Sequence, residues 1–317
     1  MKITDFTLIF LCIVIPFSLV LDLKIDDIKL NERKRIELNK VLDTSIDDGV
    51  AQLVEVGGDR KKPNINKEQA VKSFYDSLYL NFNALENTTL KETLDAYIPV
   101  IGIIDYDGYY IYSSEEFLRQ GETIIDKVWQ PKQYFTYESD GYIYMFTIDD
   151  YLSIYDSNNN KFYEGKRKDL VPVIGTTILS DIDKFEKTRR KCIVDKVKND
   201  LNYYINNHNK MARQLGINYT FAIPQIEEED WYNTVDDIGM MVFFQGYPTG
   251  ISNELYNYYA LGGARVYKGA KYYLQSIGGV PYYHRSTCSL LTNRNYEVTD
   301  RKDAAKKGYR PCRECTP

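Results

Sequence analysis

The sequence is poor in the residues on which much enzyme chemistry depends. Its 317 residues include two histidines, two tryptophans and five cysteines. It contains no glycine-rich phosphate loop, no G-x-S-x-G elbow and no H-E-x-x-H helix, the patterns typical of nucleotide-binding proteins, serine hydrolases and zinc peptidases. A catalytic triad needs a histidine base, and only His208 and His284 could supply one. We therefore expect a protein that is not an enzyme.

A large excess of charge of one sign is also lacking. The chain carries 40 basic and 45 acidic side chains, so its formal charge of -5 gives no general attraction to nucleic acid. We expect no nucleic-acid partner, and the sequence identifies no small-molecule ligand. Tyrosine, in contrast, is abundant, with 29 residues. This favours half-buried strands, in which the ring lies on the core and the hydroxyl group reaches water.

One long hydrophobic run is present, from Phe6 to Leu21, with Pro16 in its middle. Its 16 residues carry no charge, and as a helix they would cover about 24 Å, short of a hydrocarbon core of about 30 Å. A cleavable signal peptide ends in small residues, but the run meets "DLKIDD" and no alanine follows before Ala51. We therefore expect an uncleaved signal anchor, with Phe6, Pro16 and Leu21 as its reference positions.

The charges around this run give no simple topology. Five basic residues follow the run closely, which favours a cytoplasmic tail, but long domains are translocated largely regardless of charge. We expect a single-pass protein of a bacterial cell membrane with most of the chain outside the cytoplasm.

Apolar residues continue on one helical stripe beyond the run, at Leu21, Ile25, Ile28, Leu42, Ile46 and Leu53. No proline or glycine lies between Pro16 and Gly49, so the pattern predicts one helix of about 50 residues. The alternative is two helices with a break between residues 31 and 35. Such a stripe is too apolar for an isolated helix in water, so it should pack on a partner or on the rest of the chain.

The stretch "DFTLIFLCIVIP" places an acidic residue, Asp5, before the apolar run and Pro16 within it, and an amphipathic extension follows. This arrangement resembles the TadE-type minor pilins of tight-adherence pilus systems. The resemblance covers residues 1–56. It implies a membrane-held, pilus-like or secretion-associated component whose partners are proteins of that assembly.

The middle of the chain indicates an α+β fold. Helical periodicity predicts helices over residues 66–86 and 181–215, with His208 as a packing residue of the second. Tyrosine-rich runs with turns at Asp107-Gly108, Asp140-Gly141 and residues 158–160 predict an antiparallel sheet. Further strands are expected at 217–225, 239–250, 264–269 and 272–284. The hairpin "IIDYDGYYIYS" resembles strands of extracellular Cache or PAS-like sensor domains, which gives an alternative function as a tethered sensor.

Acidic residues in this region do not form a convincing metal site. Asp105 and Asp107 have the spacing that opens an EF-hand loop, but Gly108 comes two positions too early for calcium. The run "EEED" at residues 227–230 is more typical of a solvated helix start before Trp231.

The last 34 residues carry the strongest pattern in the sequence. His284 and Cys288 are followed by Cys312 and Cys315, so two short-spaced pairs supply four soft ligands. This is the donor set of a closed tetrahedral Zn²⁺ site, and amide groups near Cys312 could donate to the thiolates. The alternatives are a Cys312–Cys315 disulfide or free thiols. The intervening "DRKDAAKKGY" suits a short helix.

The ending "AAKKGYRPCREC" resembles the Ada-type metal-binding domain. The resemblance covers about 32 residues and supports a metal site in which His284 replaces one cysteine of the first ligand pair. An Ada-like protein acting on nucleic acid is the weakest of the functional hypotheses.

These patterns predict four units. They are an anchor with an extended helix (1–56), an α+β head (64–170), a second α+β part (171–280) and a zinc-binding module (281–317), with a linker at 57–63. The favoured hypothesis is a non-enzymatic, membrane-anchored subunit of a pilus-like, secretion or conjugation apparatus with a structural Zn²⁺ ion.

Overall fold

The architecture is given by a computed structural model, which describes residues 3–55, 63–214, 216–250, 254–264, 266, 272–285, 288, 290–292, 297–298 and 301–315. The helices of this part of the chain are α1 (Ile3–Ala51), α2 (Lys67–Asn81), α3 (Thr88–Ala96), α4 (Arg167–Ile174), α5 (Thr177–Ser180), α6 (Ile182–Gln214), α7 (Glu228–Val235) and α8 (Arg301–Lys306). Its strands are β1 (Val100–Ile104), β2 (Gly108–Arg119), β3 (Glu122–Trp129), β4 (Gln133–Ser139), β5 (Tyr142–Phe146), β6 (Tyr151–Asp156), β7 (Lys161–Lys166), β8 (Gly239–Pro248), β9 (Leu255–Gly263), β10 (Tyr272–Ile277), β11 (Val280–Arg285), β12 (Glu297–Val298) and β13 (Arg310–Pro311).

Helix α1 is continuous over 49 residues, so the prediction of one long helix is confirmed and no break occurs at residues 31–35. Its two halves have different surroundings. The second half contributes five buried side chains to the core with the segment that follows it: Leu38, Leu42, Ile46, Val50 and Leu53. The first buried side chain along the helix is Asn31, whose amide group donates to the Glu254 carboxylate. Residues 10–30, which precede it, are all exposed and project from the head.

The head is built on an antiparallel sheet of nine described strands. Eight of them follow the order β7-β6-β5-β4-β2-β1-β8-β9, and β3 pairs with β2 outside this path. Helices cover both faces of the sheet. Gly49 of α1 approaches Met240 on one face, and Leu201 of α6 approaches Gly102 and Met241 on the other. The α+β class with an antiparallel sheet is therefore confirmed.

A single hydrophobic cluster extends through the head. It joins buried residues from Leu38 in α1 to Ala260 in β9, and so includes side chains from three of the four predicted units. The boundaries near residues 64 and 171 remain predictions, although one shared core crosses both of them. The predicted linker at 57–63 lies outside the described residues except for Pro63.

Several turn and cap predictions are confirmed. Asn66 accepts a hydrogen bond from the Gln69 amide at the start of α2, at 3.0 Å. The turns at Asp107-Gly108 and Asp140-Gly141 connect β1 to β2 and β4 to β5. The acidic run at 227–230 leads into α7, as expected.

Two expectations about the middle of the chain are wrong, and one strand was missed. The helix predicted to reach residue 86 ends at Asn81, because Asn83 adopts a left-handed conformation with φ 53°. Residues 217–225 form a loop, since the Asn209 side chain bonds the amide and carbonyl of Phe221 and Gln245 does the same for Ala222, in place of a strand partner. Strand β9, which pairs with β8, was not expected. The strand expected at 264–269 lies mostly outside the described residues.

A second, smaller sheet of four described strands follows the head. Its strand order is β12-β10-β11-β13. Together with α8 it forms a separate small core of Tyr272, Leu274, Tyr283 and Ala304, and Tyr309 packs against this core. This sheet contains the predicted metal ligands. It begins at Tyr272, before the boundary predicted at residue 281.

Candidate metal centre

The small sheet brings the two halves of the ligand set together. His284 lies near the end of β11, opposite Tyr273 of β10. Strand β13 runs parallel to β11 and pairs Pro311 with Tyr283, and the Cys312 amide donates to the Tyr283 carbonyl at 3.1 Å. The second ligand pair is therefore placed beside the first by backbone hydrogen bonds.

The turn before Cys312 depends on Gly308. The helix α8 ends at Lys306, and the Gly308 amide donates to the Ala305 carbonyl while Gly308 itself has φ 83°. This left-handed conformation is one that glycine adopts without steric cost. Tyr309 then packs on the small core. The predicted short helix is confirmed.

The four predicted ligands converge. One potential ligand atom from each of His284, Cys288, Cys312 and Cys315 lies within 4.8 Å of each of the others. The Sγ atoms of Cys288 and Cys312 are 3.9 Å apart, and His284 Nδ1 is 3.2 Å from Cys288 Sγ. A tetrahedral zinc ion with bonds of about 2.3 Å to sulfur and 2.0 Å to nitrogen separates its ligands by about 3.8 and 3.5 Å respectively. These two separations therefore match a tetrahedral ion within a few tenths of an ångström.

The surroundings favour the ligand forms of these side chains. Burial acts to raise the pKa of Cys312, but hydrogen bonds from the amides of Cys315 and Glu314, together with those to the neighbouring thiols, outweigh it and lower the pKa. Burial lowers the pKa of His284, which favours the neutral imidazole that binds metals. The expected donation from amides near Cys312 is thus present.

Burial makes this group of side chains unusual for a set of free thiols. His284 is fully buried, and its Nε2 atom has no hydrogen-bond partner among the described residues. Among the described residues, the atom within hydrogen-bond distance of its Nδ1 is the Cys288 thiol sulfur, at 3.2 Å. Cys288, Cys312 and Cys315 form no disulfide in the structure. An imidazole that is buried beside three thiols, and that has no further hydrogen-bond partner among the described residues, fits a site whose remaining partner is a metal ion.

The two other cysteines lie far from this cluster in the fold. Cys12 is exposed on α1. Cys192 is buried in α6, and its thiol donates to the Thr136 carbonyl at 3.3 Å. Burial raises the pKa of Cys192 to about 11, so this thiol stays protonated near neutral pH.

The three reference positions of the predicted anchor all lie in α1. Pro16 is inside the helix and Leu21 is exposed, while the side chain of Phe6 is outside the described part of the structure. No helix among the described residues is both long enough and apolar enough to cross a membrane. The anchor therefore remains a prediction.

A second polar site was not foreseen from the sequence. A cavity of about 400 Å³ lies beside the β1–β2 turn and is lined by residues including Glu55, Asn64, Asp105, Tyr110 and Lys132. Lys132 Nζ donates to Asp105 Oδ2 at 2.5 Å and also to Asp107. Only the Asp105-x-Asp107 spacing was visible in the sequence, because Lys132 reaches the turn through the tertiary fold.

The lysine in this cavity is fixed in its charged form. Burial acts to lower the pKa of Lys132, but hydrogen bonds and charge interactions with Asp105 and Asp107 raise it to about 12. Lys132 is therefore a poor candidate for a general base or a nucleophile. Its ammonium group forms ion pairs with both Asp105 and Asp107, the two residues whose spacing is that of the start of an EF-hand loop.

His208 occupies the packing position expected for it. Its Nε2 atom lies 3.0 Å from the Ala96 carbonyl, and Nδ1 lies 3.4 Å from Ser114 Oγ. The imidazole thus connects α6 to the end of α3 and to β2.

No protein-family model, curated protein or solved structure gives a match to this chain. The resemblances to TadE-type pilins and to the Ada-type domain consequently stay predictions. The support for a metal site is the geometry of the four side chains, which could hold a metal ion but does not identify it.

Proposed function

We propose that the protein is a non-enzymatic subunit of a membrane-associated assembly, pilus-like or part of a secretion or conjugation apparatus, held by the first part of α1. The observation that carries this proposal is the contrast between the two halves of one helix. The projecting half exposes apolar side chains around its whole circumference: Phe10, Leu11, Ile13, Val14, Ile15, Phe17, Leu19, Val20, Leu21, Leu23, Ile25, Ile28 and Leu30.

Exposed apolar surface of this extent needs cover. A buried leucine or isoleucine side chain gains roughly 1.5–3 kcal/mol relative to its exposed state. Thirteen such positions on a single projecting segment are more than a helix in water would carry without aggregation. A lipid phase around the first residues, with partner helices beside Ile25 and Ile28, would supply this cover.

The test separates the anchor from the partner contact. The wild-type chain should sediment with membranes and show an intact N-terminus by mass spectrometry. The exchanges Ile25→Asp and Ile28→Asp should abolish co-purification with partners and leave the head folded, because both side chains are exposed at 46% and 67%. Lys24→Asp, at an exposed polar position of the same helix, is the matched control.

Two results would contradict this proposal. A mature chain that begins between residues 21 and 34 would remove the anchor. Complexes that survive both isoleucine exchanges would show that the projecting helix is only a tether.

We further propose that the metal is Zn²⁺ and that its role is structural. Three thiolates and one imidazole in a tetrahedral arrangement suit zinc, and four protein ligands leave no open position for water or substrate. The ion would then stabilise the small sheet.

The sensor hypothesis keeps one specific observation in its favour. The cavity beside the β1–β2 turn combines charged groups with the Tyr110 ring, and it lies on the hairpin that resembles Cache-type strands. A membrane-tethered ligand-binding protein is therefore the second candidate. A small molecule that raises the melting temperature of the wild-type chain, with no effect on a Lys132→Ala chain, would favour it.

A further inference from the structure

Strand β9 is an outer strand of the main sheet, and it lacks the charged residues that the other outer strands, β7 and β3, carry. Its sequence, LYNYYALGG, contains no charged residue and no proline. The opposite end strand, β7, has the sequence KFYEGK, and β3, which pairs only with β2, has the sequence ETIIDKVW. Charged side chains on outer strands are a common protection against pairing with another chain.

The outer side of β9 is an edge of the sheet formed by the described strands. Its inner side pairs with β8 over nearly its whole length, and no described strand pairs with its outer side. The ladder is regular from Gly239 to Gln245, with one irregularity only between Gln245 and Tyr247. Along this edge, the amide and carbonyl groups of β9 that point away from β8 have no strand partner within the described part of the chain.

Helices flank β9 on both faces. On one face, Tyr256 donates to Asn39 of α1 at 2.7 Å and Tyr258 donates to Asp43 at 3.3 Å. On the other face, α7 packs against β9. The edge thus lies between two helices, which would hold an added strand from above and below.

Carboxylates lie on both sides of this edge. On the α1 side, Asp43 and Asp47 are exposed one helical turn apart, and the charge of Asp47 helps burial to raise the pKa of Asp43. On the α7 side, burial and the charges of Asp230 and Glu227 raise the pKa of Tyr259. An incoming strand would meet negative charge on each of its two faces.

We propose that β9 is a docking edge for an extended basic segment of a partner protein, which adds to the sheet as a further strand. Backbone hydrogen bonds to β9 provide affinity, and lysine or arginine side chains on alternate faces pair with Asp43 and Asp230. The partner segment is basic because Asp43 and Asp47 lie on the α1 side and Asp230 and Glu227 on the α7 side, whereas on the α1 side the charge of Arg35 also acts on Tyr256. This surface is independent of the anchor and of the metal centre.

The test uses the full chain in detergent micelles and three nine-residue synthetic peptides. The first alternates lysine and valine, and the second alternates glutamate and valine. The third is the first peptide with its two central valines replaced by proline, so that its lysines are unchanged. The first should bind and protect amides of residues 255–263 from hydrogen exchange. The proline peptide carries the same charge but cannot complete a strand, so it should not protect them.

Charge variants test the acidic surfaces. Asp43→Asn combined with Asp230→Asn should weaken binding of the lysine peptide about tenfold, as expected for the loss of two opposite-charge pairs. Glu138→Gln combined with Glu122→Gln, on strands β4 and β3, is the matched control and should leave binding unchanged.

Three outcomes would overturn the proposal. Equal binding of the lysine and proline peptides would indicate simple charge attraction. Binding of the glutamate peptide, or protection of residues 255–263 by self-association without peptide, would contradict it equally.

Discussion

Replacement of Cys312 by serine should release the metal and unfold the small sheet while the head stays folded. Structural zinc binding in small domains contributes about 10–16 kcal/mol, and an equal share for each of four ligands is about 2.5–4 kcal/mol. A loss of that size weakens metal affinity by roughly 60- to 800-fold. Among the described residues, the small core has three large buried side chains, Tyr272, Leu274 and Tyr283, so it gives little independent support.

The assay combines metal analysis with hydrogen exchange. Wild-type protein dialysed against a weak chelator should retain about one zinc ion per chain, as a single tetrahedral site requires, and the Cys312→Ser chain should retain almost none. Amides in β10, β11 and β13 should lose protection in the variant, while those in β1 and β8 should keep it. Cys12→Ser is the matched control, because Cys12 is exposed on α1 and outside the cluster. Equimolar zinc in the Cys312→Ser chain, or a Cys312–Cys315 disulfide in metal-free wild type, would refute the reasoning.

Two further predictions concern buried groups of the head. Burial, with a smaller contribution from the charge of Lys127, lowers the pKa of His208 to about 4. The contribution of the neutral, buried imidazole to the free energy of unfolding is therefore fully present above the unfolded pKa of about 6.5. It is lost as the pH falls towards 4, by up to about 3 kcal/mol. Urea unfolding of His208→Gln should have a shallower pH dependence in this window, and parallel curves for variant and wild type would contradict the assignment. Lys127 Nζ bonds Asp95 Oδ1 at 2.6 Å and the Tyr75 hydroxyl at 2.9 Å, so Lys127→Met should cost about 2–3 kcal/mol, less than a fully buried pair because Asp95 is partly exposed. Lys161→Met, at the exposed start of β7, should change stability by less than about 0.5 kcal/mol, and a similar effect of both exchanges would count against the buried pair.

The features that the sequence predicted are those that depend on neighbouring residues along the chain. The continuity of α1 follows from the absence of glycine and proline over its middle. The four metal ligands follow from two short spacings, and tertiary structure only had to bring the two pairs together.

The features that the sequence did not predict depend on contacts between distant residues. Residues 217–225 have the composition of a strand, yet Asn209 and Gln245 satisfy backbone groups there and no strand partner is needed. In the polar cavity, Lys132, which directly precedes β4, contacts Asp105, which directly follows β1. No periodicity in a single segment reveals either arrangement.

Helix α1 also has a mechanical consequence. The projecting segment and the core-forming residues Leu42 and Ile46 belong to the same continuous helix, with no loop or hinge between them. Tension applied near the first residues would therefore pass along the helix axis directly into the centre of the head. Under load, the head would be sheared through α1 and its neighbours β8 and β9, and the resistance of that packing would set the force that one molecule can bear.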